Sequence, residues 1–471
     1  MGSKERFYVD IMAVHPEVTG SCNLVVVKYP NDETCRFIVD CGLFQEKEYE
    51  ELNQNFPFNA DSIHFCLVTH NHVDHIGRIP LLCKEGFSGK IYASSPTTYL
   101  MPLALRDTGK VLKDLSKRKH CKELFSETDI SLALNCLVSC QFGETIQIDE
   151  HIKATFFKNG HLIGAALILV QISFPEQQTI NLLFTGDYHK DNMFLDVNPL
   201  PYWVKDLNLT IIQESTYGYM DSDQSIACFK QNVIAAIQEG KTVISLVFSL
   251  GRSQEILYVL KMMQEEGVLD KAIPIYFDGK LAFAYTELYK KDVLGIKEEM
   301  TDFIPDGLVY VSKELRPTLI TDRNTKIIVT TSGMGSYGPA QCYLPEYLTR
   351  KNALIHFTGY VAEGTLGRSL MDTPYNSIVS VGGVVLNKKA EVVYTSEFSA
   401  HAKADEMIEF LQQFNHLKLV LVNHGQTIVK EQFSKRILSE VESKHVGILS
   451  RDYFFRVNGY GLIKSLGTKF D

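Results

Sequence analysis

Short runs of β-branched and aromatic residues, each closed by a polar or glycine-containing turn, dominate the chain from residue 36 to about 215. Arg36 to Asp40, Ile63 to Thr69, Ala165 to Phe174 and Ile180 to Thr185 are of this kind, a pattern that predicts strands. From about 222 to 358 the period changes. Helical spacing over Ser225 to Glu239 precedes the strand-like run Thr242 to Phe248, and helical spacing over Ser253 to Glu266 precedes Ile273 to Phe277. A helix near Leu281 to Lys290 and strands at Lys326 to Thr330 and Ala353 to Thr358 continue the alternation. Helix and strand in alternation predict a parallel sheet, here as a domain inserted into the first one. Beyond about 386, strands return at Val392 to Thr395 and Lys418 to Val422, with a helix from Ala404 to Phe414 between them.

Composition narrows the chemistry. The 471 residues are 45% hydrophobic and 11% aromatic, enough for two or three packed domains. With 47 Lys and Arg against 56 Asp and Glu, the net charge of −9 excludes a wholly basic nucleic-acid binder. Any polyanion site is therefore local, with metal ions supplying part of its positive charge. The ten cysteines form no C-x-x-C pair and no dense framework, which fits a reducing cytoplasm. No apolar run reaches the length of a membrane span, and Met1 to Arg6 carries no signal core. Arg6 stands where a myristoylation signal wants Ser or Thr, so Gly2 is not expected to be acylated.

The decisive segment is Leu67-Val68-Thr69-His70-Asn71-His72-Val73-Asp74-His75-Ile76-Gly77. Strand alternation would put His70 and His72 on one side, and the turn after them would carry Asp74 and His75 to a second position nearby. Histidine makes up 14 of 471 residues, so this pattern arises by chance on the order of once in a thousand such chains. Two metal ions need further ligands at strand ends. Asp40, His161 in Asn159-Gly160-His161, Asp187 after Phe184-Thr185-Gly186, and His424 after Val422-Asn423 are the candidates; each alone could be an ordinary turn residue, but together they make a coherent set.

The order Asp40, His70-x-His72-x-Asp74-His75, His161, Asp187 resembles the motif series of the metallo-β-lactamase superfamily. Three further motifs resemble its β-CASP branch, which includes the endonuclease subunit of the mRNA cleavage and polyadenylation factor and ribonuclease J. These are Glu214 in Gln213-Glu214-Ser215-Thr216-Tyr217-Gly218, His401 in Phe398-Ser399-Ala400-His401-Ala402, and His424 in Val422-Asn423-His424-Gly425. Similar stretches are Phe248-Ser249-Leu250-Gly251-Arg252, Ser332-Gly333-Met334-Gly335 and Gly359-Tyr360-Val361-Ala362-Glu363-Gly364-Thr365-Leu366-Gly367-Arg368. Gln426 departs from the Glu that many members carry there.

The resemblance implies an α/β fold: an αββα metallo-β-lactamase sandwich formed by residues 1–207 and 386–471, with a parallel-sheet β-CASP domain inserted at 208–385. It implies two Zn²⁺, with Mn²⁺ and Fe as other metals that His and Asp ligands accept. His70, His72 and His161 would hold one ion, and Asp74, His75 and His424 the other. Asp187 would bridge the two, while Asp40 would support the ligands from behind. The activity implied is hydrolysis of single-stranded RNA to 5′-phosphate and 3′-hydroxyl products, endonucleolytic in preference to 5′-exonucleolytic. Asp74, Asp187, Glu214 and His401 would be its catalytic residues, His401 donating a proton to the leaving oxygen with Glu214 orienting it. Ser249, Arg252, Ser332 and Arg368 are candidate phosphate contacts, although each arginine has a local capping or pairing role as its plainer reading.

Three other readings stand beside this one. A DNA-directed nuclease of the same branch would typically carry an apolar residue in place of His424. A lactam or thioester hydrolase would not need the Glu214 and His401 pair. A catalytically silent scaffold of an RNA-processing complex would have lost ligands that this chain keeps. A homo-oligomer or membership of such a complex is compatible with the sequence, and target selection by appended domains is not expected.

Overall fold

The computed structural model describes residues 7–15, 17–221, 227–291, 295–359, 361, 364–395, 397–398, 400–443 and 445–467. The predicted helix start at Ser225, the motif residues Tyr360, Ala362, Glu363 and Ser399, and Gly2 with its neighbours lie outside them. Two compact units divide the chain, one comprising the described residues of 1–45, 49–222 and 400–471, the other those of 46–48 and 223–399.

Among the described residues the first unit holds two sheets. One has eight strands, in the order Gly461–Gly467, Tyr453–Asn458, Tyr8–Ala13, Asn23–Lys28, Thr34–Val39, Phe65–Val68, Lys90–Ser94 and Leu137–Cys140. The other has seven: Val446–Ile448, Leu417–Asn423, Leu209–Glu214, Ile180–Phe184, Ala166–Ile172, Ile152–Lys158 and Thr145–Gln147. Val9, Val25 and Phe37 of the first sheet share one buried cluster with Phe156, Ile168 and Leu182 of the second, so the inner faces pack on each other. Helices close both outer faces. Ala404–Gln412 shows the reason in its sequence, since Ala404, Met407, Ile408 and Leu411 recur at helical spacing and are all buried. The result is the αββα sandwich expected.

The second unit is built on a six-stranded sheet ordered Val309–Tyr310, Ile275–Asp278, Ile327–Thr331, Thr242–Val247, Ala353–Phe357 and Glu391–Tyr394, every pairing parallel. The predicted strand at Val392 to Thr395 is thus real but belongs here, beside Ala353–Phe357, and not with the last part of the sandwich. Conversely Leu209–Glu214, assigned to the insertion by the 207/208 border, lies between Ile180–Phe184 and Leu417–Asn423 in the seven-stranded sheet. The compact units accordingly divide at 222/223 and 399/400. The strand-rich reading of 36–215 also passes over the 25-residue helix Ser95–Lys119. Its buried apolar positions, Pro96, Leu100, Met101, Ala104 and Leu105, fall in the first half only, and Pro102 interrupts the pattern. No helix among the described residues is long and apolar enough to cross a membrane.

Candidate metal centre

The strand Phe65–Val68 is buried along its length and delivers the chain to Thr69 just past its C-terminal end. His70 and His72 come after its last residue, and His72 already caps the short helix Val73–Ile76. Loop geometry, not strand alternation, therefore brings them together: Nε2 of His70 lies 3.1 Å from Nδ1 of His72, using different ring nitrogens. Nε2 of His161, from the loop after Ile152–Lys158, lies 3.1 Å from the same His72 Nδ1. Three ring nitrogens at tetrahedral positions 2.0–2.1 Å from one zinc would stand about 3.3 Å apart. The observed spacing fits a shared cation.

The far sides of the His70 and His161 rings are fixed by protein partners. Thr69 Oγ1 donates to Asp40 Oδ2 at 2.8 Å and sits 3.1 Å from His70 Nδ1, which can then donate to it. The Ala400 carbonyl accepts from His161 Nδ1 at 2.7 Å. Both rings thereby present an unprotonated Nε2 to the common point. Burial, followed by the neighbouring histidines, holds His70 and His161 well below the usual imidazole range, which keeps those lone pairs free.

His75 faces the other way. Its Nδ1 donates to Asp40 Oδ2 at 2.8 Å, leaving Nε2 3.2 Å from Asp187 Oδ2. Burial disfavours its cation, but Asp187 and Asp40 on either side outweigh burial and raise it well above its ordinary value. Asp187 Oδ2 also lies 3.7 Å from His70 Nε2 and 3.9 Å from His161 Nε2, while Oδ1 lies 3.2 Å from His424 Nδ1. One buried carboxylate thus reaches both sets of imidazoles. His70, His72, His161 and Asp187 form one group of potential ligand atoms within 4.8 Å of each other, and Asp74, His75 and His424 form another.

A third such group joins Asp187, Glu214 and His401. Glu214 ends the strand Leu209–Glu214 and accepts the Tyr188 backbone N–H at 2.8 Å and His401 Nδ1 at 2.9 Å. His401 Nε2 is turned toward Asp187, 3.9 Å from Oδ2. Burial opposes its protonation, but the carboxylates of Glu214 and Asp187 prevail and raise it to about 9.

Close backbone approach makes this assembly possible. A Cβ on Gly42 would fall 1.5 Å from the Asp74 carbonyl oxygen, and one on Gly186 2.7 Å from Thr69 Cβ. Asp40 and His424, each just past or at the end of a strand, take φ of 65° and 44°, a region few non-glycine residues enter.

The nine residues predicted to form the centre, Asp40, His70, His72, Asp74, His75, His161, Asp187, His424 and the Glu214–His401 pair's histidine included, belong to the first unit, as does Glu214 itself. The four candidate phosphate contacts belong to the second. Arg252 is 7% exposed and pairs with Glu255 at 3.0 Å, and Arg368 pairs with Asp372 at 2.9 Å. Ser332 Oγ is buried without a hydrogen-bond partner among the described residues. Sequence reasoning missed the supporting set: Thr69, Asn159, Tyr188 and the Ala400 carbonyl. Asn159 donates to the carbonyls of Thr185 and Asp187 and accepts the His161 N–H, tying two ligand loops together. Its place beside Gly160-His161 was the available signal.

Comparison with known proteins agrees with this geometry. The family model of the metallo-beta-lactamase superfamily matches residues 18–135, that of the Beta-Casp domain 253–370, and that of the Zn-dependent metallo-hydrolase RNA specificity domain 385–448. Ribonuclease TTHA0252 of Thermus thermophilus is 31% identical over 423 residues, covering 87% of this chain and 91% of the relative. The RNase J-like protein of Methanocaldococcus jannaschii is 29% identical over 432 residues, 89% of this chain and 94% of its own. Endoribonuclease ysh1 of Schizosaccharomyces pombe is 26% identical over 403 residues, 83% of this chain and 51% of the relative. With the sandwich, the clustered imidazoles and these matches together, the chain belongs to the metallo-β-lactamase superfamily and, within it, to the members that carry a Beta-Casp domain.

Proposed function

We propose that the protein is a two-zinc ribonuclease that hydrolyses phosphodiester bonds of single-stranded RNA to 5′-phosphate and 3′-hydroxyl products, acting internally. The observation that carries this reading is the Asp187 carboxylate within reach of two separate imidazole sets, with a carboxylate-paired histidine beside it. The ribonuclease names of the relatives above support RNA as the substrate class.

His70, His72 and His161 would hold one ion, and Asp74, His75 and His424 the other, with Asp187 between them. When bound, the ions supply Lewis acidity and positive charge for the attack of water on phosphorus. The remaining work falls to the chain. Asp40 holds His75 and, through Thr69, His70 in fixed orientations. Glu214 takes the Nδ1 proton of His401 as a hydrogen bond, so that the imidazolium presents Nε2–H to the leaving 3′-oxygen and gives up that proton as the P–O bond breaks. Ten cysteines without a disulfide support a reducing compartment such as the cytoplasm.

The test is cleavage of end-labelled single-stranded RNA and its DNA counterpart by the purified protein, with Asp74→Ala and His401→Ala as controls. RNA cut internally by the parent and by neither variant is the expected result. A protein that takes up zinc yet cuts neither polymer would be a small-molecule hydrolase or a scaffold instead.

A further inference from the structure

The helix Thr427–Glu440 starts three residues after His424, and its own N-cap residue, Gln426, makes no side-chain capping bond. A residue from the opposite end of the chain fills that role. Glu17 Oε1 accepts both the Thr427 backbone N–H at 3.1 Å and its hydroxyl at 3.0 Å. A carboxylate at this position also meets the positive end of the helix dipole. Next to it, Asn423 Nδ2 donates to Asn23 Oδ1 at 2.9 Å.

From the same segment as Glu17 comes His15, 1% exposed, its ring edge-on to that of His424 with centroids 6.2 Å apart. His15 Nδ1 is 3.1 Å from the Cys22 backbone nitrogen and 3.3 Å from the Cys22 carbonyl oxygen. It can therefore accept from one or donate to the other, and neither tautomer leaves it unsatisfied. His424 turns Nδ1 toward Asp187 and Thr216, which leaves its Nε2 on the opposite side of the ring. The Nε2 atoms of His15 and His424 are both buried without a hydrogen-bond partner among the described residues. An imidazole that binds a metal through one nitrogen carries its proton on the other, and that N–H needs an acceptor. His15 can become that acceptor by changing tautomer and shifting toward His424; its Nδ1 then donates to the Cys22 carbonyl, and the Cys22 N–H gives up its acceptor.

We infer that the segment carrying His15 and Glu17 sets the orientation of His424, His15 by facing the back of its ring and Glu17 by capping the helix that follows. Both are positioning residues for one cation position, the one that includes His424; this rests on the reading of His424 as a ligand.

Zinc titration of the metal-free, full-length protein in competition with a chromophoric chelator tests it. The parent takes up two ions. His15→Phe and Glu17→Ala leave one affinity unchanged and weaken the other about 10- to 100-fold, the usual effect of removing a partner behind a ligand. Glu17→Gln keeps an acceptor oxygen and recovers most of the loss, and it carries the test with His15→Phe if Glu17→Ala does not fold. Thermal unfolding of the metal-free forms reports that the fold is kept. Unchanged affinities at both positions, or equal weakening of both, overturn the proposal. A parent that takes up fewer than two ions defeats the two-cation reading itself, and the proposal with it.

Discussion

The imidazole of His401 stands between two carboxylates, and that placement fixes how the reaction should respond to pH. A proton donor works only while protonated, so cleavage should fall as pH rises through the His401 value. The chain's own groups set it at about 9. Metal ions bound beside Asp187 would oppose a further positive charge, so the alkaline limb of kcat in the loaded enzyme is expected below that point. Glu214→Gln should shift the limb further down, and His401→Ala should remove it while lowering kcat about 10²- to 10⁴-fold with zinc content unchanged. The same pair contributes to the stability of the metal-free protein. Its folded value exceeds the ordinary 6.5, so the contribution is fully present below pH 6.5 and lost as pH rises through about 9. The difference in melting temperature between parent and His401→Gln should shrink across that window. Asp40 makes a prediction of another kind, because it accepts from Thr69 N–H, Thr69 Oγ1 and His75 Nδ1 at once. Asp40→Ala should weaken zinc binding about 10- to 100-fold in a chelator competition.

The turns that follow strands Thr34–Val39 and Phe65–Val68 interlock so tightly that one added carbon has nowhere to go. Gly42→Ala would drive Cβ into the Asp74 carbonyl, and the loop must move to relieve it. We expect a loss of about 3 kcal/mol or more in denaturant unfolding, together with weaker zinc uptake. How much of this was legible in the sequence depended on whether a signal was local. The histidine run announces itself within six residues, and the buried strands carry their composition openly. Strand membership in a sheet is not local. Glu391–Tyr394 reads the same whichever sheet it joins, and only its pairing with Ala353–Phe357 assigns it. Ring orientation was equally hidden, since strand alternation cannot foresee a loop that aims Nε2 of His70 and Nδ1 of His72 at one point. Backbone partners such as the Ala400 carbonyl leave no residue-type signature at all.

Across the whole molecule, metal and fold are coupled. Clustered imidazoles with inward lone pairs are a cost until a cation joins them, so removing zinc with a chelator should lower stability as well as abolish cleavage. With free zinc at a hundred times the dissociation constant, one site contributes about 2.7 kcal/mol. The melting temperature should therefore rise with free zinc concentration in the parent and much less in Asp187→Ala. The insertion of the second unit has a separate consequence for how the protein is made. Strand Leu417–Asn423 is an interior strand of the seven-stranded sheet, pairing with Leu209–Glu214 on one side and Val446–Ile448 on the other. At about 5 to 20 residues per second, a ribosome needs roughly 10 to 40 s after Glu214 to reach His424. For most of that interval the nascent chain lacks His401 and the strand Leu417–Asn423, and until its end it lacks His424. A protein proposed to cut RNA is thus synthesised without a complete cutting site until the growing chain has reached His424.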